Sequence, residues 1–142
     1  MKIVRLLMIA AIVAASVVVF SGCSKKPINA PSLTTLTVSD ITSVSATAGG
    51  NISDDGGADI KRRGVFYSTV ADVKRPVEDP NYVMPPGTEL KQVTANDVGT
   101  GLFTVNLTGL RPATTYYLVA FAGNQAAVSF GNEVSFTTAA AE

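Results

Sequence analysis

The chain has no histidine, no tryptophan and a single cysteine. Without histidine, the commonest general base near neutral pH and the commonest metal ligand are both missing. One cysteine excludes an internal disulfide and a thiolate metal cluster. Charge is scarce and balanced, with 11 Lys and Arg against 11 Asp and Glu, and the only basic run is Lys61-Arg62-Arg63. Nucleic-acid binding relies on clustered cations, so no nucleic-acid partner is expected, and the short run reads as a solvated strand face. The carboxylates share no catalytic motif, and no Gly-rich phosphate loop or nucleophile elbow occurs. These absences point away from an enzyme and require no cofactor.

Long apolar runs are also lacking, with one exception at the N-terminus. Lys2 and Arg5 precede Leu6 to Phe20, an apolar stretch broken only by Ser16. It is shorter than the roughly 20 residues of a membrane span and fits the core of a signal peptide. The stretch ends in Phe20-Ser21-Gly22-Cys23, which resembles the lipobox of bacterial lipoproteins, with Phe20 a less usual choice than Leu. The resemblance implies diacylglycerol on the Cys23 thiol, cleavage after residue 22, and an N-terminal Cys23 whose α-amine is often acylated too. Chains of that number hold a protein stably on a bilayer, so the membrane is the expected partner through lipid on Cys23. Ser24 stands where Asp serves some bacteria as an inner-membrane retention signal, which favours the outer membrane of the cell envelope. Residues 23–31, including Lys25-Lys26-Pro27-Ile28-Asn29-Ala30-Pro31, are expected to form a flexible tether reaching about 25 Å when extended.

From Ser32 onward apolar residues alternate with polar ones, Thr and Val are frequent, and turn residues separate the runs. Strands are expected at Leu33–Ile41, Val44–Ile52, Ile60–Ser68, Thr88–Val93, Leu102–Leu107, Thr114–Ala122 and Phe130–Thr137. Asp54-Asp55-Gly56-Gly57 marks a turn, and Val70 to Gly87 is irregular, with Pro76, Pro80, Pro85 and Pro86. About seven short strands in 32–138, followed by a tail at 139–142, predict an all-β, immunoglobulin-like β-sandwich.

Leu110-Arg111-Pro112-Ala113-Thr114-Thr115-Tyr116 resembles the corner of fibronectin type III domains in which Leu, Pro, Thr and Tyr recur at this spacing. Gly56-Gly57-Ala58, Arg63-Gly64-Val65-Phe66-Tyr67-Ser68-Thr69 and Phe130-Gly131-Asn132-Glu133-Val134-Ser135-Phe136-Thr137-Thr138 extend the similarity to a variant common in bacterial envelope proteins. The resemblance implies a tyrosine corner built on Leu110, Pro112, Thr114 and Tyr116, in which the Tyr116 hydroxyl bonds back to the loop backbone. The family's second-strand tryptophan is missing, and Ala46 falls in its place.

Side-chain parity assigns Phe103, Val105, Leu107, Tyr116, Leu118, Ala120, Ala122, Val134, Phe136, Val44, Ala46 and Ile52 to the core. With Ile60, Gly64 and Phe66 pointing inward, Val65 and Tyr67 point outward beside Tyr117, Val119 and Phe121. These five form a candidate interaction face of the kind that marks docking sites. Two readings stand: the face binds a protein or a glycan, or the segment Val70–Val98 folds over it, with Tyr82, Val83, Met84 and Pro85 as cover. Asp54, Asp55 and Asp59 form a weak calcium candidate whose spacing matches no known calcium loop. The expected function is a membrane-anchored binding or spacer module, accessory to a larger envelope complex. The rival is a structural subunit of a fibre or assembly that pairs through edge strands.

Overall fold

Eight strands and one short helix follow one another in a computed structural model that describes residues 25–142. The expected signal peptide (1–22) and the lipidated Cys23 lie outside the described residues. The strands are β1 (Ser32–Thr35), β2 (Ala46–Asp54), β3 (Arg62–Ser68), β4 (Lys91–Thr94), β5 (Gly101–Leu107), β6 (Thr115–Gly123), β7 (Val128–Phe130) and β8 (Val134–Thr137), with helix α1 (Arg75–Glu78) between β3 and β4. Two antiparallel sheets form, ordered β1-β2-β5 and β4-β3-β6-β7, with β8 also pairing β6. The expected β-sandwich is the observed architecture, and among the described residues no helix is long and apolar enough to cross a membrane.

The core lies between the sheets and takes Phe103, Val105 and Leu107 from β5, Tyr116, Leu118, Ala120 and Ala122 from β6, Ala46, Ala48 and Ile52 from β2, and Phe136 from β8. Aromatic packing replaces the missing tryptophan. Tyr116 stacks on Phe136 at 5.6 Å and meets the edge of Tyr67 at 6.0 Å. The Phe103 ring fills the space above Gly50, where a Cβ would come within 2.9 Å of it. Val134 is only partly buried against this core. Val44 is a correction: it is 51% exposed, because the Thr42 hydroxyl accepts the Val44 and Ser45 N–H groups at 3.2 and 2.9 Å, turning the chain before β2 begins.

The last expected strand is two strands, broken at Gly131–Glu133. The break leaves the Ala120 N–H without a ladder partner, and the buried Thr35 hydroxyl accepts it at 2.9 Å. The Thr35 N–H in turn donates to Asn132 Oδ1 at 3.0 Å, and a Cβ on Gly131 would sit 2.5 Å from Thr35 Oγ1. A single threonine thereby ties the two sheets at the point where one strand is interrupted. The tail starts a residue later than expected, since Ala139 exchanges backbone bonds with Ala113 and Thr42.

The expected tether is corrected at its end, where Asn29 and Pro31 are docked. Asn29 N–H donates to Gly56 O at 2.8 Å, Asn124 Nδ2 donates to Asn29 O at 2.7 Å, and Pro31 is buried. The Asp54–Gly57 turn presents a backbone groove that an extended peptide fits, and Gly56 must lack a side chain for it, because its Cβ would fall 2.1 Å from Asn29 O.

Candidate functional site

Alternation of side chains fails at one point, and this reassigns the expected interaction face. Ile60 and Arg63 are both buried, with exposed Lys61 and Arg62 between them. Two consecutive outward residues shift the parity of everything that follows. Arg63, Val65 and Tyr67 therefore point into the sandwich, at 4%, 0% and 4% exposure, and Phe66 points out. Val65 and Tyr67 are core residues.

Tyr117, Val119 and Phe121 do lie on the outer face of β6, but that face is covered. Val119 and Phe121 are at most 1% exposed, and Tyr117 is half-buried. Phe66 packs on Phe121 at 4.7 Å and on Phe130 at 6.0 Å, while Gly64, paired with Phe121, leaves room for its ring. The start of the Val70–Val98 segment runs toward Glu133, beyond β6. Val73 is 1% exposed and lies outside the main core, and its N–H donates to Glu133 at 2.8 Å. To reach Glu133 from the end of β3 the chain must cross β6. The expected cover residues do less: Val83 is 85% exposed, and Tyr82 stacks under Arg75 at 4.7 Å. Four of the five are internal packing and Tyr117 is half-buried, and the five are divided between the two faces of one sheet.

Buried Arg63 is the residue that sequence reasoning placed on a solvated face. Its Nη2 lies 2.7 Å from Asp97 Oδ2, and Nη1 donates to Gly99 O at 2.9 Å and Thr100 O at 3.3 Å. The guanidinium sits 5.1 Å over the Phe103 ring, a cation–π contact, and the buried Nε has no partner. Arg63 pins the loop before β5 to the end of the sandwich. Because Asp97 is exposed, the pair is a fastening and not an enclosed charge site.

The Asp-rich turn is likewise occupied with its own backbone. Asp54 Oδ1 accepts Gly56 N–H at 2.6 Å, Asp55 Oδ1 accepts Gly57 N–H at 2.8 Å, and Asp59 pairs with Lys61 at 3.4 Å. Among the described residues no group of three or more His, Cys, Asp or Glu is placed to hold a metal ion. Depressions of about 490 and 430 Å³ flank this turn.

At the opposite end the tyrosine corner organises a narrower cleft. Leu110 is buried, the Tyr116 hydroxyl accepts Arg111 N–H at 2.9 Å, and the Thr114 hydroxyl donates to Pro112 O at 2.8 Å. Beside this corner a cleft of about 310 Å³ is bounded by Tyr67–Thr69, Gly87–Glu89, Lys91, Gly109, Arg111 and Tyr116. The Tyr67 ring is buried while its hydroxyl reaches the cleft, and no hydrogen bond within the described residues engages that hydroxyl. Burial, and then the charge Tyr116 would carry, raise the Tyr67 pKa above its ordinary value, so Tyr67 stays a neutral donor. Ion pairs among the described residues join Lys61 to Asp59 and Arg63 to Asp97, leaving Lys91, Arg111 and Glu89 at the cleft unpaired. Sequence reasoning named Tyr67 and the corner but not this cleft, because Gly87–Lys91 and Gly109–Arg111 meet only in three dimensions.

The fold is that of fibronectin type III domains. The chain matches the third fibronectin III domain of human KIAA0343 protein with TM-score 0.53 and 17% identity, over 82% of this chain and 86% of that one. It matches the domain of human fibronectin type III domain containing protein 3 with TM-score 0.51 and 16% identity, over 82% and 94%. The sensor domain of the anti-sigma factor RsgI4 from Pseudobacteroides cellulosolvens matches with TM-score 0.49 and 16% identity, over 81% and 100%. No protein-family model matches the chain, and no curated protein sequence matches it.

Proposed function

We propose that this chain is a lipid-anchored, non-catalytic binding module of the bacterial cell envelope, and that the cleft beside the tyrosine corner is its working surface. The observation that carries this reading is the Tyr67 hydroxyl, set on a buried ring and left without a protein partner at the mouth of a cleft. The hydroxyl is not among the buried polar atoms without a partner, so it meets the water of the cleft and can exchange that water for a ligand group. Five hydroxyl-bearing residues, Tyr67, Ser68, Thr69, Thr88 and Tyr116, line the cleft with Glu89, Lys91 and Arg111. That set suits a ligand rich in hydroxyls with an anionic group, the chemistry of an envelope glycan. The lipobox-like ending at Cys23 supports attachment to a membrane, with Ser24 favouring the outer one.

Titration of isotope-labelled protein with soluble acidic glycan fragments tests the cleft. Amide signals of Tyr67, Thr69, Lys91 and Arg111 should move together, and Lys91→Ala/Arg111→Ala should weaken the response several-fold without changing the far-ultraviolet circular dichroism. Shifts confined to other surfaces, or none at all, would refute the cleft as the working surface.

A further inference from the structure

We infer that the end of the sandwich formed by Lys26–Asn29, Asp54–Gly57 and Asn124–Ala127 is a membrane-facing surface, held against lipid headgroups so that the tyrosine-corner cleft looks away from the bilayer. The inference rests on attachment through Cys23 and deepens it with a direction.

Asn124 is the clamp. Its Nδ2 donates to Asn29 O at 2.7 Å and to Asp55 O at 2.8 Å, joining the incoming peptide to the Asp54–Gly57 turn. Its Oδ1 accepts the Ala126 and Ala127 N–H groups at 2.8 and 3.0 Å, so all three segments converge on one side chain. Lys26 and Pro27 also lie against Gly57, within about 4 Å of where its Cβ would stand. The first residue held by hydrogen bonds is Asn29, and the six residues from Cys23 to it reach about 20 Å at most. The strand carrying the cleft runs from Tyr116 to the clamped end at Gly123, and at about 3.3 Å per residue that length exceeds 20 Å. A leash shorter than that length keeps the clamped end nearer the bilayer than the cleft. A freely flexible stretch back to β1 would be long enough to turn the domain over.

The lone cysteine and the absence of tryptophan make the direction measurable. The core is complete within residues 25–142, so the chain from Cys23 onward can be coupled by its thiol to vesicles containing a maleimide-bearing lipid. Tryptophan is introduced at an exposed site on either end, Gln125→Trp beside the clamp or Val44→Trp beside the cleft. Quenching by headgroup-labelled lipid should be several-fold stronger for Q125W than for V44W, and adding Asn124→Ala should abolish most of that difference. Equal quenching of the two probes with Asn124 intact would overturn the inference, as would a difference untouched by N124A in a variant that keeps its circular dichroism. Chemical coupling makes this outcome independent of natural lipidation. That reading is checked separately, by mass spectrometry of Cys23 in protein taken from membranes.

Discussion

The two ends of this sandwich solve the same problem in different ways. Strands run out at both, and loops with unpaired backbone groups must be closed over the core. At the clamped end polar side chains do the closing: Arg63 gathers Asp97, Gly99 and Thr100, and Asn124 gathers Asn29, Asp55 and its own loop. At the other end the Tyr116, Thr114 and Thr138 hydroxyls close the corner, while Tyr67, 6.0 Å from Tyr116 between ring centroids, has no protein partner for its hydroxyl. Both ends are closed by hydrogen bonds, with the buried Arg63 Nε left unpaired at one and Tyr67 facing the cleft at the other. On the proposed reading, binding belongs to the corner end and attachment to the clamped end.

Breaking the closed end should have the largest effect. Arg63→Ala strips the Gly99 and Thr100 carbonyls of their donor and leaves a void against Phe103, a loss of about 2–3 kcal/mol. Chemical denaturation should show a lowered midpoint with little change in slope. Arg63→Met keeps the volume and removes the need to bury a charge, so it should cost less than half as much. Equal losses in the two variants would mean that charge, and not packing, fastens the loop. The next effect belongs to the cleft end. Tyr116→Phe removes the acceptor of Arg111 N–H but keeps the ring on Phe136, for a cost of about 1 kcal/mol. A loss as large as that of Arg63→Ala would show that the corner carries as much of the fold as the pin does.

These contrasts bear on what the sequence made legible. The sandwich, the corner and nearly all of the core on β5 and β6 followed from alternation, because each of those strands is regular from end to end. Parity failed on β3 because Lys61 and Arg62 both face outward, a local irregularity that no pattern of apolar residues announces. A one-residue shift then exchanged Arg63, Val65 and Tyr67 with Phe66. The path of the Val70–Val98 segment across β6 was legible as a possibility but not in its chemistry, since it depends on Val73 reaching Glu133 across 60 residues of sequence. Docking of Asn29–Pro31 was hidden for a similar reason. The segment has the composition of a linker, and only the turn it lies against gives its backbone groups partners.

The smallest effect at neutral pH is the one that separates the two tyrosines. Tyr67→Phe removes a hydroxyl without a protein partner, so its stability near pH 7 should match the parent within about 0.5 kcal/mol. The difference emerges in alkali. Tyr67 holds its proton more tightly in the folded chain than a free tyrosine does, through burial first and then through Tyr116. Above the ordinary tyrosine value near 10, the unfolded chain releases this proton while the folded chain retains it. The unfolded state then binds fewer protons, and stability falls as pH rises through that value until the folded pKa is reached. Denaturation midpoints measured from neutral pH to beyond 10 should therefore decline less steeply in Tyr67→Phe than in the parent. An unchanged alkaline slope would mean that the Tyr67 hydroxyl is as well hydrated in the fold as outside it, and that the cleft mouth is open water with no preorganised donor.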